Sequence, residues 1–161
     1  HMAGVTTALR LLYGGQPGVD RDGESLSTPD GPVHVLDAYA MANSVLCSRR
    51  PGPGREGAPT AEMLRNCSQH LRTTIQTLQP TIIQSQGRSK GWSTHRAIEM
   101  IAETSTATAN EHIRLISVVG RQIVWCSLKH PARNWGQLGR AYFKEVAQPA
   151  LEQTRIHALR S

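Results

Sequence analysis

The chain has 161 residues, the size of one domain, with room for a single hydrophobic core. Apolar residues make up 39% of it and aromatic residues 4%, below the usual range for soluble domains, so the core is expected to be small and the fold to read as incomplete. Lys and Arg outnumber Asp and Glu by 18 to 12 and the formal net charge is +6, a balance that favours nucleic acid as a partner through phosphate neutralisation and counterion release. A basic protein that is merely soluble has the same balance, and composition does not separate the two.

No apolar run approaches the roughly 20 residues that span a bilayer, and the N-terminus lacks the charged, apolar and small-residue order of a secretory signal. The expectation is therefore a cytoplasmic protein with no membrane partner. Cys47, Cys67 and Cys126 are odd in number and widely spaced, which argues against a secreted disulfide framework.

In chain order, residues 3–14 carry Leu9, Leu12 and Tyr13 at helical spacing before Gly14-Gly15-Gln16-Pro17-Gly18 breaks the pattern. A polar loop is expected to about Pro32. The run VHVLDAYAMANSVLC, Val33 to Cys47, is apolar without a helical period, and its second half, with Asn43 in it, predicts a buried strand. Residues 48–59 are rich in Arg, Gly and Pro and predict a loop carrying Arg49, Arg50 and Arg55. Thr60 as N-cap, Glu62 in the first turn, and Leu64, Cys67, Leu71, Ile75 and Leu78 at spacings of three and four predict an amphipathic helix over 60–78. Pro80 stops it, TIIQSQG predicts a short buried strand, and a second helix follows over 93–105. Residues 112–118 and 122–128 flank Val119-Gly120-Arg121 as the arms of a hairpin whose second arm, IVWCSLKH, runs to His130. Leu138, Tyr142, Val146, Ala150 and Leu151 predict a closing helix, kinked or restarted at Pro149.

The series reads as a strand ending in Asn and Cys, an Arg/Pro/Gly loop, a helix with a second Cys, a strand ending in Gly, and a late His-Pro. In this order it resembles the uracil-DNA glycosylase superfamily over residues 33–155. YAMANSVLCSRRPGPGREGAPTAEMLRNCSQHLRTTIQTLQPTIIQSQG is similar to the iron-sulfur branch, and LKHPARNWGQLGRAYF to the second active-site motif. The resemblance implies one α/β domain over 1–161, three-layered as α/β/α with a short central parallel sheet. The expected N-terminal strand, water-activating motif and a Cys-x-x-Cys would lie upstream of this chain. It implies an N-glycosidic bond hydrolase that excises uracil or a related damaged base from DNA in base excision repair, acting as a monomer. The alternative is a catalytically inactive DNA-binding module of the same fold.

By the same resemblance Asn43 reads the flipped base, since an amide offers a donor and an acceptor to a Watson-Crick edge. Asn43 as a strand-end residue bonding local backbone is the other reading. His130 stands where a donor stabilises charge on the departing base, although a His before Pro in a basic loop is commonly just exposed. Asp20, after the Gly-rich turn, or Asp22 beside it is the candidate within this chain to position water, the alternative being the motif expected upstream. Arg133 and Trp135 are expected to contact DNA, Trp135 being equally readable as a core anchor. Cys47 and Cys67 match two of the four ligands of an iron-sulfur cluster. A zinc site from Cys47, Cys67 and His70 is a separate reading, and a buried Cys67 with no metal a third.

Overall fold

In the computed structural model, which describes residues 2–18, 21, 23–46, 59–87, 93–130 and 140–160, the order is α1 (Met2–Leu12), β1 (Ser25–Thr28), β2 (Gly31–His34), α2 (Ala61–Leu78), β3 (Ile82–Gln86), α3 (Ser93–Ile101), β4 (Thr104–Ala107), β5 (Ile113–Val118), β6 (Arg121–Leu128), α4 (Arg140–Tyr142), a π-helical turn (Phe143–Ala147) and α5 (Gln148–Ala158). The chain divides into two units, His1–Met41 with Lys129–Ser161, and Ala42–Leu128. No helix among the described residues is long and apolar enough to cross a membrane.

In the first unit α1 packs against α5, and the β1–β2 hairpin pairs Ser25 with His34 through Thr28 with Gly31. Val5, Leu9, Leu26 and Val35 form its small buried cluster, with Ala38 and Tyr39 against it. Arg10 is buried in this unit. Its Nε and Nη2 donate to the two carboxylate oxygens of Glu24 at 2.6 Å each, and its Nη1 to the Gly18 carbonyl at 3.2 Å. A guanidinium withdrawn from water is tolerable only when its donors are matched this way. The hairpin corrects the polar loop expected up to Pro32. Its strands are four residues each and polar on one side, so they carry little hydrophobic signal, while Pro29-Asp30 supplies the turn and Gly31, at φ 113°, the left-handed residue that follows it.

In the second unit α2 forms as the periodicity predicts. Thr60 Oγ1 accepts the Met63 amide at 3.1 Å, and Gln79 ends the helix in the left-handed region at φ 47°. The sheet order is β3-β6-β5-β4. Only β3 and β6 run parallel, and β5 is antiparallel to both its neighbours, so this is a mixed sheet rather than the parallel sheet expected. The reason is local, because a two-residue turn can join only antiparallel strands, and Val119-Gly120 is such a turn, with φ of 53° and 70°. Ile116 and Val118 of β5, Ile123 and Trp125 of β6, Ile75 of α2 and Ile98 and Ile101 of α3 make the main core on one face of the sheet. The second helix stops at Ile101 rather than 105, and Thr104–Ala107 pairs with β5 as an exposed edge strand. Two β-branched threonines with a partner strand beside them favour the extended form over another helical turn.

Glu103, between α3 and β4, fixes the β5–β6 turn. Its carboxylate accepts the Gly120 and Val119 amides at 3.0 Å each and the Ser117 hydroxyl at 3.2 Å, and meets Arg72 at 2.7 Å. These contacts, the Gly120 amide foremost, hold its pKa below the ordinary carboxylate value. A carboxylate whose folded pKa is depressed adds stability that is present above its unfolded pKa and is lost as pH falls through the folded one. Glu103→Gln is therefore expected to lower the urea midpoint at neutral pH. The gap to the parent protein should close as pH falls below the ordinary carboxylate range; a gap that holds or widens in acid contradicts this role.

Candidate functional site

The two parallel strands end level. Their register runs from Ile82 with Val124 to Gln86 with Leu128, and the Gly87 amide extends it by donating to the Leu128 carbonyl at 2.8 Å. Gly87, at φ 109°, then turns the chain away. The end beyond the carboxyl termini of parallel strands is where open α/β sheets bind ligands.

Strand alternation puts Ser85 beside Ser127 on the face that carries Trp125, and all three are buried. The Trp125 indole N–H donates to Ser85 Oγ at 2.9 Å. His95, in the first turn of α3, lies over this pair with its ring 4.7 Å from that of Trp125, its Nδ1 3.3 Å from Ser127 Oγ and its Nε2 3.3 Å from Glu99. The Ser127 amide donates to the His112 carbonyl at 2.8 Å, and the His112 Nδ1 lies 3.3 Å from the Ser127 carbonyl. The end of β6 is thus held through both the side chain and the backbone of Ser127. At the other end of α3, the Glu103 amide donates to the Ser117 carbonyl, near the start of β6. So α3 runs back along the parallel pair and its first turn stands at their carboxyl ends.

Asn43 is exposed and lies in irregular chain, which corrects the buried strand expected there. Val35 near the start of the run is core, but in its second half Met41 and Leu46 are 63% and 64% exposed. The Asp37 amide closes a turn onto the His34 carbonyl, and Asn and Ser at 43 and 44 compete for backbone groups, so no strand propagates. What fixes the segment is side-chain chemistry. Ser44 Oγ lies 3.2 Å from Thr94 Oγ1 in the first turn of α3, and the Leu46 amide donates to Cys67 Sγ at 3.4 Å. Asn43 is therefore tethered one residue from α3 where α3 begins, at the carboxyl end of the β3–β6 pair.

His130 is half-buried and follows Leu128 by two residues, so β6 ends earlier than the expected His130. It belongs to the first unit, and Asn43 to the second. Asp20, Asp22, Cys47, Arg49, Arg50, Arg55, Arg133 and Trp135 lie outside the described residues.

Cys67 is buried on α2 and its sulfur accepts the Leu46 amide, whereas His70, one turn on, is exposed. No group of three or more His, Cys, Asp or Glu gathers as a metal site among the described residues. An iron-sulfur cluster held by cysteines takes four thiolates. Of the two ligands the resemblance implies here, Cys47 lies outside the described residues and Cys67 is buried on α2, and Cys126 is fully buried within β6, so no step is derived through a cluster.

Sequence reasoning missed His95, Ser85 and Ser127. The His95/Glu99 spacing of four and the alternation of Ile123, Trp125 and Ser127 were visible, but nothing local joins helix to strand across 32 positions. No family model, curated protein or solved structure matches the chain.

Proposed function

We propose that the chain is a DNA glycosylase of the uracil-DNA glycosylase type, which hydrolyses the N-glycosidic bond of uracil or a related damaged base in DNA during base excision repair. The observation that carries this reading is the tether of the Asn43 segment to the first turn of α3 through Ser44 and Thr94, at the carboxyl end of the parallel pair. A base reader needs that location and needs to be reachable by an extruded nucleotide, and Asn43 is exposed. The mixed sheet with α2 and α3 packed on its Trp125 face agrees with the α/β class that this reading requires.

In this mechanism the nucleotide leaves the stack and its Watson-Crick edge meets the Asn43 amide, which donates to a carbonyl and accepts from the imide N–H. The C1′–N1 bond then breaks, its electron pair leaving on the base and the sugar taking up positive charge. His130 donates to the base carbonyl on which that charge gathers, an interaction stronger in the transition state than in the bound substrate. Water, positioned by Asp20, adds to C1′ and gives its proton to the Asp20 carboxylate, and the base anion takes up a proton from solvent. The positive net charge supplies affinity for the phosphate backbone.

Asn43→Ala is expected to lower kcat/KM on a uracil-containing single strand about 50-fold, the cost of leaving a base edge unpaired in a closed site. Affinity for undamaged DNA should stay unchanged at fixed salt. The assay is initial-rate release of uracil; parent-like release by the variant removes Asn43 from the reaction.

A further inference from the structure

His130 follows β6 by two residues, and the residue just before it is engaged by the side chain of Tyr142. Lys129 is the first residue after β6. Its amide donates to Tyr142 Oη at 2.9 Å, and its ammonium sits 5.0 Å from the centre of the Tyr142 ring. Tyr142 thus engages both the backbone and the side chain of the residue preceding His130. The amide bond fixes position, while the cation over the ring adds a weaker, exposed contact.

The setting of Tyr142 supplies a second observation. Tyr142 ends α4 and enters the π turn Phe143–Ala147, where the Gln148 amide reaches back five residues to the Phe143 carbonyl. A π turn inserts one residue into the helical register, at a cost in backbone geometry, and such turns recur at functional sites. Ala147, Ala150, Leu151 and Thr154 are buried and fix the rotation of α5. The added residue therefore turns α4, and Tyr142 with it, away from the side that an unbroken α-helix would present.

We propose that Tyr142 is a positioning residue for base release: its hydroxyl oxygen, by accepting the Lys129 N–H, sets the backbone from which His130 reaches the departing base. The inference rests on the reading of His130 given above. Misplacing a reacting group by a fraction of an ångström lowers rate without weakening substrate binding.

The test is a double-mutant cycle on the full chain, read by single-turnover uracil release, with DNA affinity and Lys129 amide hydrogen exchange measured beside it. Tyr142→Phe keeps the ring and its cation contact and removes only the hydroxyl. It is expected to slow release about tenfold, leave DNA affinity unchanged and speed Lys129 amide exchange. In a His130→Ala background it should cause no further loss, since the group it positions is gone. Equal losses in both backgrounds, or no loss in an active parent protein, overturn the inference alone. A parent protein that binds DNA but releases no base overturns the glycosylase reading, and this inference with it.

Discussion

Replacement of His130 by Ala is expected to slow single-turnover base release by about 10²–10³-fold, the effect of removing one donor aimed at a developing anion. The group is half-buried, and the amide of the residue before it, Lys129, is held by the Tyr142 hydroxyl. A donor on backbone held in this way loses little freedom on binding substrate, and its contribution falls mainly on kcat. His130→Gln, which retains a donor, should recover part of the rate. An Ala variant that keeps the parent rate and changes only DNA affinity would make His130 a backbone contact instead.

Trp125→Ala is expected to lower the stability of the second unit by about 3–5 kcal/mol, read from the urea midpoint. Trp125 is fully buried at the centre of the main core and its indole N–H is bonded to Ser85 Oγ, so removal opens a cavity and strips a buried hydroxyl of its donor. It also removes the surface on which the His95 ring lies. Trp125→Phe fills much of the cavity and should cost less, on the order of 1–2 kcal/mol, with the unpaired Ser85 hydroxyl as the main loss. A Trp125→Ala protein within about 1 kcal/mol of the parent would mean that the core can collapse around the gap, against the close packing of Ile98, Ile116 and Ile123.

Where local chemistry and burial point the same way, the structure follows the sequence. Thr60, Met63 and the Leu64–Cys67–Leu71–Ile75 stripe define α2 by cap and period, and Val119-Gly120 between two β-branched runs defines the β5–β6 hairpin. Strand β4 was illegible because all four of its residues are exposed at the sheet edge, which leaves no hydrophobic pattern to read. The Asn43 run misled for the opposite reason. Its apolar residues look like core, yet Met41 and Leu46 face solvent and the segment is held by Ser44 and by the Cys67 sulfur. The polar contacts that shape the candidate site, His95 with Ser127 and Trp125 with Ser85, join positions 32 and 40 apart. No spacing rule for helices or strands reaches across such separations.

The most direct test of the account is single-turnover incubation of the purified chain, in excess, with a single-stranded oligonucleotide carrying one labelled uracil, with the free base and the abasic product both quantified. The account predicts stoichiometric uracil release and an equal yield of abasic sites, with none from the matched thymine strand. Binding of the oligonucleotide with no free base formed would contradict it, and would leave a DNA-binding module without glycosidic chemistry.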